Sequence, residues 1–106
     1  MVQVQLREQT EALLNDPLLG QADVDSKVRH LLEAEYLRHM GRYQRTEQNL
    51  RQKYGMTFDE FIDQRVVEQR SYSWEVERDA MDWETAIGGI STMARKLKEL
   101  RLGAHG

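Results

Sequence analysis

The most regular hydrophobic pattern in the chain lies near its end. Val76, Ala80, Trp83, Ile87, Ile90, Ala94 and Leu97 recur at alternating spacings of four and three, which predicts one long amphipathic helix from Trp74 to Arg101. Glu75, Glu77 and Asp79 fall in its first turns and Arg95, Lys96, Lys98 and Arg101 in its last, as the helix dipole favours. A second long helix is predicted over Ser26–Tyr54, a proline-free run of strong helix formers. Asp25 or Ser26 can cap its start, and Gly55 suits the left-handed residue after its end. Its apolar positions are Val28, Leu31 and Leu32, then Tyr36, Met40, Tyr43, Leu50 and Tyr54, a heptad seam interrupted by Glu47.

Shorter elements connect these two. Thr57 followed by Glu60 is a capping box, with Met56 placed to staple against Phe61, and it opens a helix from Phe58 to about Glu68. Its inward residues are Phe58, Phe61, Ile62 and Val66, and Arg70–Ser73 breaks it. Upstream, Val2, Val4 and Leu6 alternate with glutamines and could form a short edge strand. No other segment alternates to pair with it, so a helix running through Arg7 to Leu14 is preferred. Pro17 and Gly20 end it, and Gln21–Asp25 reads as a loop. The chain divides into an N-terminal segment 1–25, a helical domain 26–101 and a frayed tail 102–106.

Two helices of this size are roughly 42–44 Å long at about 1.5 Å per residue, whereas a compact domain of about 100 residues is only roughly 34 Å across. The predicted fold is therefore all-α and elongated, a long-helix hairpin with a short bridging helix. Two helices leave part of each seam wet, so a dimeric bundle is expected. Its seam would join Val76–Leu97 to the Tyr36–Tyr54 face, where an aspartate at Ile87 would be buried unpaired and unfold or dissociate the protein.

Composition narrows the chemistry. The 106 residues contain no cysteine, which excludes disulfides, thiol catalysis and thiolate zinc sites. No run is long and apolar enough for a membrane span and no signal-like start is present, so a cytoplasmic protein without membrane contact is expected. The net charge of −3 is segmented. Residues 1–25 carry one arginine against five carboxylates, and residues 26–54 carry seven Lys/Arg against three. Such alternation suits segments that neutralise one another and not a uniform field for nucleic acid.

Catalytic constellations are missing. The serines lack a nucleophile elbow, no histidine has an orienting carboxylate in a triad, and Gly88-Gly89 is an isolated pair and no phosphate loop. That pair marks either a bend or a close helix contact. His30 with Glu33, and Glu35 with His39, have ligand spacing on a helix, but the two histidines are nine residues apart and face opposite sides. No enzyme activity, metal or cofactor is expected. Arg38, Arg42 and Arg45 share a stripe that could touch phosphates. A basic helix face paired with the acids of the last helix explains the same residues, so nucleic acid is an unlikely partner.

Lys53-Tyr54-Gly55-Met56-Thr57-Phe58-Asp59-Glu60-Phe61, followed by Glu75-Val76-Glu77 and Asp79-Ala80-Met81-Asp82-Trp83-Glu84, resembles a group of small prokaryotic antitoxin-like proteins found beside TumE-type toxins. The likeness covers roughly residues 26–100. It implies a non-enzymatic module that neutralises a protein toxin by direct contact. A homodimeric helical scaffold is the alternative, and a nucleic-acid-binding module ranks third. For a neutraliser, Trp74, Glu75, Glu77 and Asp82 are the expected partner-binding residues, an aromatic anchor beside a negative face. The oligomer seam would hold Tyr36, Met40, Tyr43, Leu50, Val76, Ala80, Trp83, Ile87, Ile90, Ala94 and Leu97.

Overall fold

The computed structural model describes residues 3–20 and 22–103. Val2, Gln21 and the Ala104–Gly106 end of the expected tail lie outside the described residues. Helix α1 (Glu8–Leu14) is followed by a 3-10 turn (Pro17–Leu19), then α2 (Val24–Tyr54), α3 (Phe58–Asp63), α4 (Val66–Gln69) and α5 (Trp74–Gly103). No strand occurs among the described residues. Helices α2 and α5 pack antiparallel as a long hairpin whose closed end is bridged by α3 and α4. The radius of gyration is 20.0 Å and the long axis 58 Å, against about 13 Å for a compact chain of this length. Among the described residues no helix is long and apolar enough to cross a membrane.

Capping explains most of the boundaries. The Asp23 side chain accepts from the Ser26 N–H at 2.9 Å, so α2 begins two residues before Ser26. The same hydrogen bonding to Ser26 holds the Asp23 carboxyl below its ordinary range. Gly55 terminates α2 at φ 65°, as expected. The Thr57–Glu60 capping box is formed in both directions. The expected helix over Phe58–Glu68 is instead broken in two. Arg65 adopts a left-handed conformation at φ 52° between α3 and α4, which lets Val66 turn into the core. Ser71 and Tyr72, also left-handed, reverse the chain into α5. Residues 3–7 form no regular secondary structure, Arg7 is extended, and α1 starts only at Glu8, shortening the expected N-terminal helix. At the other end α5 runs on through Leu102 and Gly103, which were expected in the tail.

The core is aromatic and sits at the closed end. Trp83 is fully buried and Phe61 is 1% exposed. Around Trp83 lie the rings of Tyr54, Phe58 and Phe61, with centroids 5.9, 5.4 and 5.2 Å away. Leu50, Val66 and Val76 complete this cluster, with Met56 packed against it.

The seam of α5 departs from the hydropathy reading at alternate positions. Val76, Trp83 and Leu97 are buried and Ile90 half-buried as expected. Between them, however, Asp79 and Ala86 are the buried residues, and Met93 takes the next position, half-buried. Ile87 is 39% exposed, Ala94 is exposed and Ala80 lies at the cluster's edge. Small Ala86 and Gly89 let α2 approach closely. A Cβ on Gly89 would sit 2.5 Å from the Tyr43 ring, whereas Gly88 faces open space. The glycine pair makes a close helix contact at Gly89, and α5 continues through it as one helix. Tyr36, Met40 and Tyr43 are half-buried and Leu50 buried on the opposing face of α2. The two expected seams therefore lie against one another within a single hairpin.

Candidate functional site

The closed end of the hairpin brings a polar cluster to the edge of the aromatic core. Asp79 is buried on the α5 seam because α2 supplies its partners one helix away. Lys53 Nζ donates to Asp79 Oδ2 at 2.6 Å and to Glu75 at 2.7 Å, and Tyr54 Oη donates to Asp79 Oδ2 at 2.5 Å. Burial pushes the Asp79 carboxyl up, but the hydrogen bonds from Lys53 and Tyr54 outweigh it and hold the group below its ordinary value. Lys53 is raised by its hydrogen bonds to Asp79 and Glu75. Burial, reinforced by Asp79, pushes the Tyr54 hydroxyl up to about 12. At neutral pH the cluster is a closed ionic network whose four members satisfy one another. It offers no group poised to exchange a proton with a substrate.

Of the residues expected to bind a partner, Glu75 is therefore tethered to Lys53. Trp74 stands 72% exposed at the start of α5, and the Arg78 guanidinium covers its ring at 4.6 Å. Glu77 and Asp82 are exposed and form no ion pair among the described residues. They diverge around the helix. Glu77 shares the outward face with Trp74, Arg78 and Met81, which is 68% exposed. Asp82 instead lines a shallow depression with Tyr43, Thr46, Thr85 and Ala86. Sequence reasoning passed over Arg78 and Met81, although their spacing of four and seven from Trp74 puts all three on one stripe.

A second concavity, an open groove of about 410 Å³, runs between α2, α3 and α5. Phe58, Ile87 and Ile90 form its apolar floor, and Glu47, Arg51 and Asp59 its charged rim. This is where Ile87 goes when Ala86 takes the seam.

The basic stripe of α2 is largely occupied. Arg38 donates to both carboxylate oxygens of Glu35, at 3.1 and 2.5 Å, and that pairing keeps the Glu35 carboxyl below its usual range. His39 Nε2 lies 2.8 Å from Glu35, and Arg42 donates to His39 Nδ1 at 2.5 Å. These two contacts fit a neutral imidazole protonated at Nε2. Arg45 has no carboxylate partner among the described residues. The acids of α5 meet α2 through Lys53 and not through these arginines.

Comparison with family models, with curated proteins and with solved structures found no match to this chain.

Proposed function

We propose that the protein is a non-enzymatic, cytoplasmic interaction module that neutralises a partner toxin through the outward face of α5. The observation that supports this most is Trp74, a large aromatic held out in solvent and oriented by Arg78 beside Glu77 and Met81. Tryptophan and arginine dominate binding energy at interfaces, and an ordered side chain loses less entropy on binding. A cationic nuclease cleft would be drawn to the Glu77 carboxylate on this face, which forms no ion pair among the described residues. The likeness of residues 26–100 to antitoxin-like proteins points the same way.

Co-expression with the toxin of the neighbouring gene tests this reading. Trp74→Ala should weaken the complex by about 2 kcal/mol or more. Glu77→Lys should abolish rescue while the helical circular-dichroism signal persists. Glu75 is left unchanged because it is bound to Lys53. Normal rescue by both variants would place the interface elsewhere.

A structural homodimer is the second reading, favoured by the large area the elongated chain exposes. Nucleic-acid binding ranks below both, because Arg38 and Arg42 are engaged by Glu35 and His39.

A further inference from the structure

Left-handed backbone brackets α4 at both ends. Arg65, at φ 52°, precedes its single turn, and Ser71 and Tyr72, at φ 54° and 55°, follow it. No other described non-glycine residue has a positive φ. Each of the three costs conformational free energy that its surroundings must offset.

Helix phase explains the first of them. A straight continuation of α3 would place Arg65, four residues after Phe61 and seven after Phe58, on the face that carries both rings. The left-handed turn resets that phase. Val66 enters the core at 5% exposure, and the Arg65 side chain stays in solvent. In a straight helix the Gln64 carbonyl would accept from the N–H four residues on; here Gln69 Nε2 donates to it at 2.7 Å. Yet Phe58–Gln69 contains neither glycine nor proline, so a straight helix suits every residue in it.

Two arrangements of α4 therefore compete. The kinked one buries Val66 and strains Arg65, whereas the straight one relaxes Arg65 and expels Val66. An open cavity of about 180 Å³ beside α4, lined by Phe61, Ile62, Val66, Val67 and Tyr72, leaves room for the exchange. Outside the core the fastenings are weak. The Arg65–Glu68 pair is solvent-exposed at 3.6 Å, and Arg70 reaches over the Tyr54 ring at 5.8 Å.

We infer that α4 is a hinged lid over the aromatic core. It opens as Arg65 rewinds into α3, which withdraws Val66 from the cluster of Phe61 and Trp83, and the Ser71–Tyr72 turn takes up the change at the other end. Ser73 follows that turn directly, and its Oγ accepts from the Val76 N–H at 3.4 Å. Opening thus also loosens the first turn of α5, which carries Trp74. The motion needs no partner and is independent of what Trp74 binds.

Thiol labelling of the full chain tests the lid, because the protein has no cysteine of its own. Val66→Cys and Val76→Cys place a thiol in the same cluster, on α4 and on α5, at positions 5% and 4% exposed. With Ellman's reagent, Val66→Cys should react about a hundredfold faster or more, with little dependence on low urea, as local opening requires. Adding Arg65→Gly, which removes the left-handed penalty and weakens the straight helix, should slow that reaction about tenfold. Hydrogen exchange on the unsubstituted protein gives a second readout. The Ser71 and Tyr72 N–H groups, which donate to the Glu68 and Val67 carbonyls at 3.0 and 2.9 Å, should exchange well ahead of the Trp83 N–H. Equal labelling at the two positions overturns the lid. So does a rate that Arg65→Gly leaves unchanged or raises, and so does exchange at Ser71 and Tyr72 as slow as at Trp83.

Discussion

The indole Nε1 of Trp83 donates to Glu47 Oε2 at 2.9 Å, joining the buried centre of α5 to the charged residue that interrupts the Tyr36–Tyr54 seam of α2. Arg51, one turn further along, pairs with the other carboxylate oxygen of Glu47. The residue that interrupts the heptad is thus the partner that a fully buried tryptophan requires. Glu47→Leu would extend the apolar seam yet leave the indole N–H without an acceptor. It should cost about 1–3 kcal/mol, whereas Glu47→Gln, which keeps a carbonyl acceptor, should cost less. Urea denaturation of the two variants gives the comparison. A stabilised Glu47→Leu protein would mean that the hydrogen bond is dispensable.

The register of α5 makes a sharper test. Ala86 is 1% exposed on the seam, while Ile87 opens onto the groove. Ala86→Asp should abolish the cooperative thermal transition, since it buries an unpaired carboxylate. Ile87→Asp should leave the protein folded, the reverse of what hydropathy alone predicts. Thermal melts monitored by circular dichroism distinguish the two registers directly.

The adjacent glycines should respond in opposite directions. Gly88→Ala adds a methyl in open space within a helix and should stabilise by about 0.5–1 kcal/mol. Gly89→Ala drives a methyl into the Tyr43 ring, close even to Cγ at 2.7 Å, and should destabilise by about 1–3 kcal/mol despite its better helix propensity. Equal effects at the two positions would show that the helices do not meet at Gly89.

The Asp79 network sets the pH dependence. Its carboxyl is lowered in the folded state, so its stabilisation is complete above the unfolded value of about 3.9 and is lost as pH falls through the folded one. Asp79→Asn should cost about 2 kcal/mol at neutral pH, and that difference should shrink under acid. At the alkaline limit the sign reverses. Lys53 and Tyr54 are both raised, so their contribution holds below their unfolded values near 10 and fades as pH climbs through the folded ones. Chemical denaturation across pH, wild type against Asp79→Asn, measures both limbs.

Hydropathy made the hairpin legible because its long-period signal survives local exceptions. Val76, Trp83, Ile90 and Leu97 form a seven-residue repeat that any amphipathic reading finds. At Ile87 and Ala94 apolar character does not translate into burial. Asp79 is buried by virtue of Lys53 and Tyr54, two residues far away in the chain. Ala86 is buried because Gly89 and Tyr43 bring the helices close. Arg65 gave no warning of its left-handed turn, since neither glycine nor proline marks it. Among the partner residues, Trp74 was legible as the tryptophan left off the seam. The capture of Glu75 by Lys53 depends on how α2 and α5 cross and has no signature along the chain.

The concentration of aromatic rings at one end of a 58 Å molecule means that its cooperativity is graded. Amides near Leu50, Trp83 and Ala86 should exchange with solvent only through global unfolding, whereas those near Val24–Leu32 and the last turns of α5 exchange through local fraying. Anything that clasps the frayed end then does more than add contact area. It suppresses the partial openings through which cellular proteases reach a helix, so the lifetime of the chain becomes tied to whether that end is occupied.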